Sequence, residues 1–418
     1  MEGGDASIPS LRTTCATVLR SSLEDQQIPF LKFWISQEKI DMNTSTSTTS
    51  ATSPPQDILY EIFSRLPLKS IVRFRCVSKF FYSLTNNSFF ADVHQNRSLT
   101  CPGTRILLRV PSKTCQQIFY TVNLTEENHG KLQAERVRYM DRQCFHNLVH
   151  LRFTNGLICL ANNDGDVTVC NLSIRQHVSL PRTHLVRPST SQNFANAVLG
   201  FDSVSKKYKV FMSELRCIHG RGNKKHWILT LGEDESWREI ISSAAVPNYP
   251  ETTLHINGVI YLINWTVKRE IIAFNVGSEE FRTLPFPCEL RHRILSSPWI
   301  AVAGRLAAVT VNHQLSSLEI WGLEKSMEWG KYMIPIPLED REIMRKASSM
   351  DFAGKCNGEI VMLIQVGDTF LIFVFGTQVW RKFEICGIRD GFICLERLQN
   401  AMHIIEENVF FPDFKFGS

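Results

Sequence analysis

Beyond residue 100 the chain is built of short apolar runs with a period of two: RILLRV, QQIFYTV, GLICLA, DVTVCNL, YKVFMSEL, GVIYLINW, RLAAVTV, SSLEIWGL, EIVMLIQV and TFLIFVFG, separated by Gly, Asn, Asp and Ser turns. Side chains alternate between the two faces of a strand, so these runs predict an all-β region. The runs also repeat as a set. A turn followed by an aromatic returns as GEDESWREI, GSEEFRTLP, LEKSMEWGKYMIP and GTQVWRKFEI, placing Trp237, Phe281, Trp329 and Trp380 at successive intervals of 44, 48 and 51 residues. A glycine opening an apolar strand recurs with it, at Gly156, Gly200, Gly258, Gly304 and Gly358. A unit of about four strands and about 50 residues cannot cover both its faces, so such units bury one another by stacking radially. The repeat therefore predicts a kelch-like β-propeller over residues 100–418, with about six blades at about 50 residues each. The unit at 100–150 is divergent, and a two-sheet sandwich would also give short strands at even spacing. The four repeated aromatics read as packing residues between blades.

Residues 54–98 carry a different period. Ile58, Leu59, Ile62, Phe63 and Leu66 form one helical stripe that ends at Pro67, with Asp57 placed to cap it. In LKSIVRFRCVSKFFYSLTNN the apolar positions are Ile71, Phe74, Val77, Phe81 and Leu84, with Ser70 and Ser78 as N-caps. Together they predict about three short helices. So small a unit cannot bury all of that apolar surface alone, and part of it is expected to face a partner. The whole chain is thus α+β multidomain. Before the helices, residues 1–53 read as a flexible leader, with a Ser/Thr-rich segment at 43–53 and one apolar patch at Ile28–Trp34. A product starting at Met42 would keep every folded domain.

Composition narrows the partners. The 46 Lys and Arg against 41 Asp and Glu give a formal +5 spread along 418 residues, unlike the dense basic stripe of a nucleic-acid binder, so no nucleic-acid partner is expected. The longest apolar stretch, Ile360–Phe375, is broken by Gln365, Gly367, Asp368 and Thr369, so no membrane span is expected. Twelve cysteines form no CxxC pair, and the N-terminus lacks a basic segment followed by an uninterrupted apolar core. Both features fit a reducing compartment, the cytoplasm or nucleus. The six N-x-S/T sequons then read as chance occurrences.

The stretch PQDILYEIFSRLPLKSIVRFRCVSKFFYSL at 55–84 closely resembles the F-box in its plant form. The matching positions run from Pro55, Asp57, Ile58, Leu59, Glu61 and Ile62 through Arg65, Leu66, Pro67, Lys69 and Ser70 to Arg73, Phe74, Arg75, Cys76, Val77 and Lys79. Two positions depart from the pattern: Pro54 stands for the usual Leu and Phe81 for the usual Trp. Phe81 should still fill a core site, while Pro54 removes an apolar contact. The remainder is similar to the F-box-associated interaction domain of plants, in NGLICL (155–160), NLSIRQHVSLP (171–181), LGFDSVSKKYKVF (199–211), NGVIYLINW (257–265), IIAFNVGSEEFRTLPFP (271–287), LEIWGLEKSMEW (318–329) and VWRKFEI (379–385). The resemblance implies a substrate-recognition subunit of an SCF-type cullin-RING ubiquitin ligase. The helical box would bind a Skp-family adaptor, and through it a cullin, while the β domain held a target protein. It implies no catalytic residue, cofactor or metal in this chain. Adaptor contact would fall among Pro55, Ile58, Leu59, Ile62, Leu66, Pro67, Ile71, Val72 and Val77, of which about half would instead form the box's own core. Arg73 and Arg75 would either meet acidic adaptor groups or stay solvated.

For the target, the most polarised segment is RCIHGRGNKKH, with Arg216, Arg221, Lys224 and Lys225, read as a long hairpin loop that could meet an acidic partner. Loops near 183–196, 216–226, 243–252 and 288–298 are candidates by analogy with other propellers. Rival chemistries find little support. There is no GxSxG, GxGxxG, GxxxxGK[ST] or HExxH. His146 and His150 have metal-ligand spacing but strand or loop surroundings, and Asp164 and Asp166 flank a glycine as a hairpin turn would. Two alternatives stay open: an F-box protein that binds the adaptor outside any ligase, and a propeller that binds a small molecule or glycan.

Overall fold

The computed structural model describes residues 56–97 and 104–405. Within that span the main exceptions are 98–103, 112–116, 126–129, 184–191, 219–220, 242–251, 265–268, 291–297 and 389–400, with some shorter stretches and single positions, including Pro67, Cys76 and Ser78. The expected leader, Pro55 and the Met42 start lie outside the described residues. The chain divides into two compact units, Met1–Arg97 and Ser98–Ser418.

The first unit holds helices α1 (Gln56–Ser64), α2 (Leu68–Arg75) and α3 (Lys79–Thr85). Leu59, Phe63 and Leu66, at i, i+4 and i+7, turn inward and are buried. Phe63, Phe74 and Phe81 form a three-ring core with centroids 5.0–5.4 Å apart, and Ile71 and Leu84 are sealed as well. Phe81 thus fills a core site without the indole. The expected caps are displaced, because Asp57 and Ser70 both lie inside their helices. A helix tolerates proline at its start, and α2 begins directly after Pro67, leaving Ser70 in its first turn. Arg97 ties the far end of the unit to α1 through Glu61 Oε1 (2.6 Å) and Ser64 Oγ (2.9 Å).

Among the described residues the second unit forms a ring of six four-stranded blades. Blade 1 is β4 (His150–Thr154), β5 (Leu157–Ala161), β6 (Val167–Asn171) and β7 (Gln176–Ser179). Blade 2 is β8 (Gln192–Asp202), β9 (Lys207–Ile218), β10 (Arg221–Thr230) and β11 (Arg238–Ile240). Blade 3 is β12 (Thr252–Ile256), β13 (Val259–Asn264), β14 (Glu270–Asn275) and β15 (Phe281–Leu284). Blade 4 is β16 (Trp299–Val302), β17 (Arg305–Asn312), β18 (Ser317–Leu323) and β19 (Trp329–Pro335). Blade 5 is β20 (Ser349–Gly354), β21 (Ile360–Val366), β22 (Thr369–Phe375) and β23 (Trp380–Cys386).

Blade 6 is assembled from both ends of the domain. Its inner strand β24 (Met402–Ile405) pairs antiparallel with β1 (Thr104–Pro111), followed outward by β2 (Gln117–Leu124) and β3 (Lys131–Arg136). The ring is thereby closed by hydrogen bonds and leaves β1 no open edge on that side. A short parallel pairing, Glu384↔Lys131 to Cys386↔Gln133, joins the outer strands of blades 5 and 6.

The core is six separate apolar layers, one at each junction between neighbouring blades. The junction of blades 6 and 1 is as complete as the rest, with Leu107, Phe119, Leu151, Ile158 and Ile405 packed together. The repeated aromatics serve these junctions. Trp237 donates its indole N–H to Pro181 O (2.5 Å), Trp329 to Pro285 O (2.9 Å) and Trp380 to Asp340 Oδ2 (2.8 Å). In each case the acceptor lies just past the outer strand of the preceding blade. Phe281 has no N–H and packs against Phe211 and His226 of blade 2. Asn155-Gly156, Asn257-Gly258 and Ala303-Gly304 have positive φ at both positions and turn the chain from the first to the second strand of their blades. Gly200 does something else: it lies inside β8, where a Cβ would come within 2.5 Å of Val276 Cγ2, so it opens no strand and lets blade 3 approach.

Candidate functional site

The helical box separates residues that the sequence left together. Leu59, Leu66 and Ile71 are buried in its own core. Ile58 is 49% exposed, and Ile62, one turn further along the same ridge of α1, is half-buried. Helix α1 thus carries two apolar ridges, an inner one that closes the box and an outer Ile58–Ile62 ridge that remains partly open among the described residues. Val72 and Val77 are half-buried, while Pro55 and Pro67 lie outside the described residues. Glu61 stands beside the outer ridge, and the hydrogen bonds from Arg97 and Arg65 hold its carboxyl below the usual range. Arg73 is exposed and Arg75 half-buried.

Three exposed aromatics were not anticipated: Phe80, Tyr82 and Phe89. The signal was present for the first two, since Phe81 and Leu84 already use the inward positions of α3 and leave their neighbours off that stripe.

On the propeller, strand alternation decides which connections share an end of the ring. Within each blade the chain reverses at every strand, so the blade-to-blade connections and the turns between second and third strands lie at one end. The segments near 183–196, 216–226, 243–252 and 288–298 all belong to that end, although much of their length lies outside the described residues.

The basic segment needs correction. Arg216 pairs with Asn223, Lys224 with Leu215 and Arg221 with Ile218, so the ladder of β9 and β10 runs on until only His219 and Gly220 separate the strands. What reads as a loop is a hairpin of long strands, because the third strand β8 supports it as far as Gln192↔Cys217. Lys225 is taken up internally, by Glu239 at 2.8 Å and by the Trp227 ring.

His146 and His150 are not brought together. His146 Nε2 bonds the backbone oxygen of Asp141 and His150 Nε2 bonds Asn163 Oδ1. Among the described residues no group of three or more His, Cys, Asp or Glu is placed to hold a metal. Asp166 closes the expected turn, its N–H donating to Asn162 Oδ1 at 2.8 Å. No helix among the described residues is long and apolar enough to cross a membrane.

A helical box with an uncovered ridge, followed by a closed propeller whose longer connections gather at one end, defines a two-module recognition protein. The chain belongs to the plant F-box proteins that carry an F-box associated β-propeller domain, and is as such an F-box substrate-recognition protein whose box binds a Skp-type adaptor. The F-box domain matches residues 55–91 and the F-box associated beta propeller domain residues 105–409. One F-box protein of Arabidopsis thaliana is 27% identical over 370 residues, covering 80% of this chain and 90% of its own length. Another is 28% identical over 376 residues, covering 83% and 87%. Among solved structures, the Aleuria aurantia lectin in complex with Fucalpha1-6GlcNAc aligns with 68% of this chain and 95% of its own at 11% identity and a TM-score of 0.36, a likeness too shallow to bear on ligands.

Proposed function

We propose that this protein is the substrate receptor of an SCF-type ubiquitin ligase, working in the cytoplasm or nucleus without a catalytic group of its own. The observation that carries the reading is the Ile58–Ile62 ridge, apolar surface left open on a box whose inner face is already complete. The adaptor covers that ridge and links the chain to a cullin. The propeller holds a target protein, and the ligase raises the effective concentration of a target lysine near a ubiquitin thioester supplied by other subunits.

The test is capture of Skp adaptor and cullin by the full chain and by Ile58→Asp. Because Ile58 is half exposed, the variant keeps its helical circular-dichroism signal. A charge in an otherwise apolar contact lowers adaptor capture by about tenfold or more. Wild type that recovers adaptor and cullin, with both lost in the variant, supports the reading. Adaptor without cullin would make the chain an adaptor-binding protein outside the ligase, and recovery of neither would refute the proposal.

A further inference from the structure

In blade 2 one strand outruns the strand beside it. The third strand β10 is 10 residues long and the outer strand β11 only 3, and β11 covers β10 no further than His226↔Ile240. On its other side β10 keeps its ladder with β9 to Arg221↔Ile218, and β9 keeps β8 to Gln192↔Cys217. Among the described residues, positions 221–225 are therefore a bare edge of a three-stranded sheet.

The direction of the backbone groups follows from one bond. Leu231 N–H donates to Tyr208 O at 2.9 Å, so by antiparallel alternation Leu229, Trp227, Lys225, Asn223 and Arg221 also turn their backbone polar groups towards β9. Gly222, Lys224 and His226 turn theirs outward. β11 meets His226 through Ile240, and among the described residues no strand meets Gly222 or Lys224 on that side. An added strand finds two N–H and two C=O groups there, in line with β11.

Charge decides what such a strand can be. The chain carries no Asp or Glu from Leu215 to Gly232, and none between Asp166 and Asp202, while Arg216, Arg221, Lys224 and Lys225 all fall on the distal part of this sheet. The one acidic residue on the distal parts of these three strands, Glu214, is buried. Cations on a bare edge keep basic strands off by repulsion and give neutral ones nothing in return for covering them. They complement an acidic strand. β11 already shows the arrangement: its Glu239, opposite Trp227, reaches diagonally to Lys225 Nζ at 2.8 Å.

We propose that the bare edge of β10 takes an extended acidic segment of the target by strand addition, a step that rests on the reading of the propeller as the target-holding module. The incoming strand continues the line of β11 past Ile240. Main-chain bonds to Gly222 and Lys224 hold it, and the basic residues of β9 and β10 select its charge.

The probe is an acetylated heptapeptide amide of alternating glutamate and valine, titrated into the full chain, with a lysine–valine peptide as control. With the acidic peptide at ten times its dissociation constant, residue-resolved amide exchange at Gly222 and Lys224 slows about tenfold, and the control does not bind. Exchanging the charges in the double variant Arg221→Glu, Lys224→Glu weakens the acidic peptide about tenfold or more and lets the lysine–valine peptide bind, which a misfolded sheet could not do. Absence of binding by the acidic peptide up to ~1 mM overturns the proposal, as does binding without protection at those two amides or equal binding of both peptides. Amides of Gly222 and Lys224 that are protected before any peptide is added also overturn it, because the chain itself then fills the edge. Capture of adaptor and cullin by the same wild-type protein keeps the two readings apart: capture without peptide binding sinks only the edge, and peptide binding without capture sinks only the ligase receptor.

Discussion

The two units solve the same burial problem with opposite results. The propeller closes on itself: each blade has a neighbour on both sides, and the junction made from the two ends of the domain is as well packed as the others. The box has one small core around Phe63, Phe74 and Phe81 and, among the described residues, leaves Ile58 on its second ridge half exposed. A ring can finish its interior alone, whereas three short helices leave surface for another protein to finish. The incomplete unit is the one whose partner class can be named, while the complete unit carries its longer connections at one end of the ring.

The comparison breaks most visibly at Phe63. It is 2% exposed and touches both other rings, so Phe63→Ala should cost about 3–5 kcal/mol, more than so small a box can spare. Hydrogen exchange in residues 56–85 should become fast and adaptor capture should vanish, with protection in the propeller strands retained. The same truncation at Phe373, fully buried between blades 4 and 5, should lower the melting temperature and leave the ring folded. A box that keeps its protection after Phe63→Ala would show that its core is not self-contained.

What could be read in advance follows from where the physical signal lies along the chain. Helical stripes and strand alternation are local, so the three helices and blades 2 to 5 were legible, as was the packing role of Trp237, Trp329 and Trp380. Blade 6 was not, because its inner strand at 402–405 and its other three at 104–136 never occur as one repeat. The two ridges of α1 could not be told apart, since both are apolar at helical spacing and only packing shows that Leu59 turns in and Ile58 out. In the basic hairpin, Gly220, Gly222 and Asn223 sit among charged residues and look like a loop, yet the third strand carries the ladder through. The bond between Arg152 and Thr253 was missed altogether: Arg152 in HLRFT is one polar residue on one strand, and its partner on blade 3 comes within reach only when the inner strands meet.

Closure itself can be tested at Asp351, which accepts the first N–H groups of the closing strand. Asp351→Ala leaves two buried donors of Ala401 and Met402 unpaired, at about 1–3 kcal/mol each. Asp351→Asn keeps an acceptor and should cost less. The pH dependence separates the charge from the hydrogen bonds. The Asp351 pKa is raised from 3.8 to about 7, so its contribution is fully present below about 4 and is lost as pH rises towards 7, at up to about 1.4 kcal/mol per pH unit. His255 pulls the other way: burial lowers its pKa to about 4, so its contribution is present above 6.5 and is lost as pH falls. The measurement is therefore the difference between wild type and Asp351→Asn in urea melts from pH 4 to 8. The variant should lack the decline between about 4 and 7, and parallel profiles would remove Asp351 from the account of closure.

The smallest effect separates the repeated aromatics from one another. Trp329→Phe keeps a ring against Trp299 and removes one N–H bond to Pro285 O, so it should cost about 0.5–1.5 kcal/mol. Phe281 already lacks that bond at the junction of blades 2 and 3, where the ion pairs of Glu279 with Lys209 and Arg238, both 2.8 Å, cross between the same blades. If the indole bonds and those ion pairs are alternative ways of fastening neighbours, Glu279→Gln should destabilise by an amount similar to Trp329→Phe, and raised salt should weaken only the wild-type advantage over Glu279→Gln. Thermal melts of the two variants at low and high salt decide it, and an equal salt response in both would mean that the repeated aromatics and the ion pairs are not interchangeable fasteners.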